Sequence, residues 1–229
     1  MTFGVDPAPS KKTAIWSAGG LERVQAAKTP ERFAQIAAAG PVLVAWDAPL
    51  SFASSHYSDR AVDRATRKWV KEQIAEGRLA KGAVSVLPFA GCPHWAITCA
   101  TLGMPFASPS ARHTWKLVER PDDITSPSVI EVHPAVALAL MWVERRVPTP
   151  MPRYKGDADA CAAIAKALEL PWNEGDDDDA LDALVAYQLA VAFRENRARW
   201  LGNPANGGYV VMRSALADEL AQNVTVRAR

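Results

Sequence analysis

Val42-Leu-Val-Ala-Trp46-Asp47 is an unbroken apolar run closed by a carboxylate. A short run of this kind, with no polar alternation, is the pattern of a strand buried on both faces, which belongs at the centre of a sheet. Upstream, Thr29-Pro30-Glu31 opens a helix with proline at its first position, and that helix ends at Gly40. Before it, Thr2–Val5 is a β-prone run ending at Asp6. Pro7, Pro9 and Ser10 mark a turn, and Thr13–Ser17 is a second strand. After Gly19-Gly20 a third, weaker strand occupies Leu21–Gln25. The order is β-β-β-α-β, and the intervening helix makes the first and fourth strands parallel neighbours.

About 80 residues then separate Asp47 from the next clear strand, Ser128–Val132, far more than a crossover needs. The expectation is a single domain over residues 1–229 with an insertion at about 51–125. The insertion carries a helix, roughly Asp59–Glu76, followed by loops rich in Pro, Gly and Ser that pass over the end of the sheet. Beyond Pro134 come an apolar helix to about Val143, a proline-rich linker, a helix near Asp157–Leu168 and another after Asp179. Tyr209–Met212 reads as a strand or a cap. The fold class is α/β, with a mixed sheet.

Hydrophobic residues make up 49% of the 229 and charged residues 22%, which excludes a disordered chain. A net charge of +1 neither requires nor forbids a nucleic-acid partner. Cys92, Cys99 and Cys161 are odd in number and irregularly spaced, so a secreted disulfide framework is not expected. MTFGVDPAP lacks a basic segment followed by an apolar one, and no apolar stretch approaches the span of a bilayer. The expected location is the cytoplasm, without a membrane partner.

Carboxylates supply the candidate chemistry. In Glu174-Gly-Asp-Asp-Asp-Asp-Ala-Leu-Asp-Ala-Leu184, acids near a helix start suit the free N–H groups there. Asp182 is different, because it is aligned with Ala186, Leu189 and Phe193 on a helix that is apolar nearly all round. A lone buried carboxylate is costly unless paired, protonated or metal-bound. Asp179 shares its face, and the two make a pair suited to a divalent cation. The plainer reading is a helix cap plus one aspartate bonded to an arginine or to backbone. Asp176, Asp177 and Asp178 read as a solvated lead-in. Asp6 and Asp47 both end apolar strands, and as parallel neighbours they would lie about 5 Å apart, which again calls for a cation. Glu131 in the next strand, about 10 Å from the first, is a second-metal ligand or general base, or else an edge residue paired with a lysine.

Arg60, Arg64, Arg67, Lys68 and Lys71 recur at helical spacing, so Arg60 and Arg64 are candidates for phosphate contact, beside the plainer reading of a solvated face. Lys155 is a further candidate for neutralising a phosphate or a carboxylate. Cys92-Pro93-His94 with Cys99 lacks a fourth zinc ligand at a recognised spacing. His133 lies two residues from Glu131 and is a proton-shuttle candidate, or a structural hydrogen-bonding side chain. No phosphate-loop lysine motif, dinucleotide glycine fingerprint or EF-hand loop is present.

The pattern GVD at the first strand end, AWDAPLS after the fourth strand, Arg60-x-x-Asp63, EVHP, Tyr154-Lys155 and DALDAL resembles a domain family described as predicted RNase H-like nucleases. The resemblance covers nearly the whole chain. The last motif is also similar to the D-x-x-D-A of Holliday-junction resolvases in the RNase H superfamily, with Asp179 and Asp182 matching its two aspartates. The resemblance implies an RNase H-like fold. It also implies Asp6, Asp47, Asp179 and Asp182 as ligands of two Mg²⁺ or Mn²⁺ ions, and nucleic acid as substrate. The fourth strand ends in Asp where the resolvases have Glu, which shortens one ligand arm. Two hard cations held by carboxylates can activate a water and neutralise the leaving oxygen of a phosphodiester. The alternatives are an actin-like or sugar-kinase-type ATPase relative, against which Asp6 is followed by Pro-Ala-Pro without a glycine-containing phosphate hairpin, and a non-catalytic binding module.

Overall fold

Strand β1 (Thr2–Asp6) lies at the middle of a six-stranded mixed sheet in a computed structural model that describes residues 1–51, 60–86, 93–103 and 114–226. Strands β2 (Lys12–Ser17) and β3 (Gly20–Gln25) follow as an antiparallel meander on one side. Helix α1 (Thr29–Ala38), with Pro30 in its first turn, crosses over to β4 (Leu43–Trp46), which pairs with β1 in parallel, Val5 opposite Trp46. The β-β-β-α-β order read from the sequence is therefore present.

The long connection after β4 is richer than loops. Helix α2 (Ala61–Ala75) lies inside the expected helix, whose first residue, Asp59, is outside the described residues. Helix α3 (Trp95–Leu102) was not expected, because its eight residues carry no charge and so no amphipathic period. It stops at Gly103, which adopts the left-handed conformation at φ 72°. Strand β5 (Lys116–Leu117) also arises within the expected insertion and forms the sheet's edge. Strand β6 (Ser128–Glu131) then pairs in parallel with β4, giving the order β3-β2-β1-β4-β6-β5.

Four further helices complete the seven α-helices among the described residues: α4 (Pro134–Glu144), α5 (Ala158–Ala167), α6 (Asp178–Arg194) and α7 (Ala215–Val226), the last not expected from the sequence. Tyr209–Met212 belongs to a strand, β8 (Gly207–Met212), paired with β7 (Ala198–Asn203) in a separate ribbon. None of the described helices is long and apolar enough to cross a membrane.

The sheet separates two cores. Val5, Val44, Trp46 and Val129 pack with Phe33 and Ile36 of α1 on one side. Leu43, Ala45 and Ile130 face the other side, with α2, α4, α5, α6 and the ribbon. This is the period-2 alternation of strands buried on both faces. Gly4 permits the closest approach: a Cβ there would run into the α6 backbone at Ala183 and Tyr187. That contact sets the first turns of α6 beside the end of β1, and so determines where Asp182 sits.

Candidate active site at the strand ends

The three parallel strands β1, β4 and β6 finish on the same edge, where ligand sites of open α/β sheets are found. A pocket of about 460 Å³ opens there, lined by Asp6, Asp47, Asp179, Asp182, Glu131 and Lys155 among others. All five carboxylates expected from the sequence thus reach one cavity.

They are not equivalent. Asp6 is 7% exposed and follows Val5 directly, so it stands next to Asp47, whose backbone N–H donates to the Val5 carbonyl at 2.9 Å. Among the described residues no hydrogen bond holds either carboxylate. Burial pushes the Asp6 carboxyl well above its ordinary range, and the charges of Asp182 and Asp47 push it further. Asp47 is raised for the same reasons, burial first and Asp182 second. Lys155 works the other way on both acids but is outweighed.

Asp182 has partners. It is 1% exposed and accepts from the Tyr154 hydroxyl at 2.7 Å and from the Lys155 ammonium. Burial raises its pKa while Lys155 and Tyr154 pull the other way. For Lys155, burial works against the charged form, but Asp182 and Asp6 outweigh it and the pKa is raised. Lys155 and Asp182 therefore form the ion pair of the pocket, and Asp6 and Asp47 are the acids whose charged forms are most disfavoured there. The buried Tyr154, part of the Tyr154-Lys155 motif, was not read from the sequence as a site residue. Its signal was adjacency to Lys155 just after the proline-rich linker.

Asp179 lines the pocket on the side of Arg23, 3.9 Å from its guanidinium. The aspartates before it are partly exposed, as a lead-in would be, but each has a partner. Asp177 caps α6, accepting from the Ala180 N–H at 2.9 Å, and is ion-paired with Arg23; such a cap is worth about 1 kcal/mol. Asp178 lies 3.6 Å from Lys155, and Asp176 accepts from Asn173 at 3.3 Å.

Glu131 and Arg60 line the pocket but are bound to each other. Arg60, read as a phosphate contact, is only 3% exposed and reaches Glu131 at 2.7 Å and Asp63 at 2.8 Å. Glu131, read as a metal ligand or base, also accepts from the Leu50 N–H at 2.7 Å. Burial pushes its carboxyl up to about 7 against the pull of Arg60. The basic face expected for α2 is divided accordingly. Arg60 turns inward, Arg67 reaches toward the Val86 carbonyl, Lys68 pairs with Glu72 at 3.4 Å, and Arg64 is not among the residues lining the pocket.

His133 lines the pocket with His94. Burial pushes His133 down to about 4, and its Nδ1 has no hydrogen-bond partner among the described residues. Cys92 lies outside the described residues, and Cys99 of α3 is a free thiol.

Among the described residues no three His, Cys, Asp or Glu side chains stand at the spacing of a preformed metal cage. The cation in contact with Asp182 is Lys155. The donor set still fits a hard divalent ion, since it consists of carboxylate oxygens, those of Asp6 and Asp47 having no hydrogen bond among the described residues. Comparison of the chain with protein-family models, curated proteins and solved structures finds no match.

Proposed function

We propose that the chain is an RNase H-like, metal-dependent nuclease that hydrolyses phosphodiester bonds of nucleic acid. The observation that carries this reading is the meeting of Asp6 from β1, Asp47 from the end of β4 and Asp182 from α6 in one pocket. The β3-β2-β1-β4-β6 order, antiparallel for three strands and parallel beyond, supports the RNase H-like reading.

Asp6, Asp47 and Asp182 would hold Mg²⁺ or Mn²⁺, with Asp179 at the outer rim as the ligand nearest solvent. A bound divalent ion supplies an activated water and neutralises the leaving oxygen. The chain's own residues position and compensate. Lys155, 46% exposed on its side chain, is placed to move between Asp182 and a phosphate entering the pocket. Tyr154 orients Asp182 from below through its hydroxyl.

Purified protein should cut at least one of single-stranded, duplex or branched DNA or RNA in Mn²⁺, and Asp6→Asn or Asp182→Asn should abolish it. Absence of cleavage on every substrate, or cleavage that survives both substitutions, refutes the reading. The ion pair on Asp182 favours a second reading, a non-catalytic binding module whose site is neutralised by Lys155. Micromolar Mn²⁺ binding that is lost in Asp47→Asn would contradict it. An ATP-hydrolysis assay on the same sample separates the actin-like alternative.

A further inference from the structure

Two motifs, Arg60-x-x-Asp63 and EVHP, are not used by the three-aspartate cluster, yet Arg60, Asp63 and Glu131 are all buried beside it. Arg60 donates from Nε and Nη2 to both Asp63 oxygens, at 2.8 and 3.0 Å, and from Nη1 to Glu131 at 2.9 Å. Such a forked arrangement needs a guanidinium. Among the described residues, two further bonds join this network to the segment that begins with Asp47. The Leu50 N–H donates to Glu131 at 2.7 Å, and Arg60 Nη1 donates to the Ser51 carbonyl at 3.2 Å. The ribbon closes the far side: the Ser51 hydroxyl donates to the Pro204 carbonyl at 2.5 Å, and a Cβ on Gly207 would lie 2.6 Å from Arg60 Cδ.

We propose that Arg60, Asp63 and Glu131 form a buried tether that positions Asp47 for cation binding, with Glu131 serving as the tether's acceptor and not as a metal ligand. The inference rests on the metal-dependent reading of the site. Stability alone does not account for the network, because burying ion pairs costs about as much in desolvation as their attraction returns. Positioning does account for it. The segment from Asp47 to Ser51 is held at its start by the Asp47 N–H bond to Val5, and without the tether its far end would lose both of these bonds. A functional carboxylate must be held to within about 0.5 Å, and fixing both ends of a five-residue segment restricts it in that way.

The test uses the full chain with two changes, Arg60→Lys and the charge-free triple Arg60→Met, Asp63→Leu, Glu131→Met. Removing all three charges together leaves no buried charge unpaired, so the triple is expected to fold cooperatively. Amide hydrogen exchange at Leu50 should then quicken by about an order of magnitude or more. Calorimetric Mn²⁺ affinity should fall by about 10-fold or more. Arg60→Lys keeps the charge but loses the fork, and should fall between parent and triple in both readouts. If the triple folds and retains either the slow Leu50 exchange or the parent's Mn²⁺ affinity, the inference is overturned. If the triple does not fold, Arg60→Lys decides by the same two readouts. Absence of Mn²⁺ binding by the parent overturns the nuclease reading, and Leu50 exchange then decides the tether by itself.

Discussion

The Lys155 ammonium bonds the Asp182 carboxylate at the pocket, where the charges of Asp6 and Asp47 also converge on it. One protein cation thus partly offsets three acids, and any divalent ion that takes Asp182 must displace it.

Lys155→Met should therefore tighten Mn²⁺ binding by about 10-fold while lowering the stability of the cation-free protein. The stability loss is set at about 1–2 kcal/mol, because the side chain is nearly half exposed and its attraction is screened. Calorimetry and thermal melts read the two effects. An affinity that is unchanged or weaker would show that Lys155 does not compete with the ion.

Asp6→Asn should do the opposite to stability. It removes an acid whose charged form is disfavoured by burial and by the charges of Asp182 and Asp47, so the cation-free melting temperature should rise by about 2–4 °C, the shift that roughly 1 kcal/mol produces in a domain of this size. Mn²⁺ binding should be lost in the same variant. A variant that melts lower and still binds Mn²⁺ would contradict the electrostatic account of the pocket.

Stability should depend on pH in a direction that the ion reverses. Unfolded carboxyls titrate near 3.8 for Asp and 4.5 for Glu, while burial raises Asp6 and Asp47 well above this and Glu131 to about 7. Between those values the folded chain holds more protons than the unfolded one. The contribution of these groups is therefore complete at low pH and is lost as pH rises through the raised values. His133 opposes this: pushed down to about 4 from 6.5, it contributes stability above that window that is lost as pH falls through it. Because a cation displaces the carboxyl protons, the gain in melting temperature on adding Mn²⁺ should be larger at about pH 8 than at about pH 5.5. An equal or reversed gain would mean that the ion binds elsewhere.

Gly4→Ala should be among the costliest single changes, because its methyl group meets the α6 backbone and not a side chain that can turn away. A loss of about 3 kcal/mol is expected from overpacking of this kind, read by denaturant unfolding. Mn²⁺ affinity should fall with it, since α6 carries Asp182. A variant as stable as the parent would show that α6 yields without cost.

Local pattern made much of the frame legible. Apolar runs closed by Asp6 and Asp47, a proline-started helix between them and the Asp179/Asp182 spacing are short-range features, and strand pairing and helix periodicity act on that scale. Helix α3 was not legible because an uncharged helix has no amphipathic period. Strand β7 was not legible because ARWLGN shows no clear alternation, and its pairing with β8 sets its register.

The sequence by itself determined which residues bring carboxylates to strand ends and to the start of α6, because element order and periodicity are written in neighbouring residues. Only the tertiary structure decided how each acid is compensated. Asp182 received Tyr154 and Lys155, Glu131 received Arg60 and the Leu50 N–H, Asp177 received Arg23, and Asp6 and Asp47 received no hydrogen bond among the described residues. These pairings join positions from 27 to 154 residues apart for Tyr154, Lys155, Arg60, Leu50 and Arg23. A carboxylate's charge state is set by whatever packs within a few ångströms of it, and only the folded chain brings those groups together.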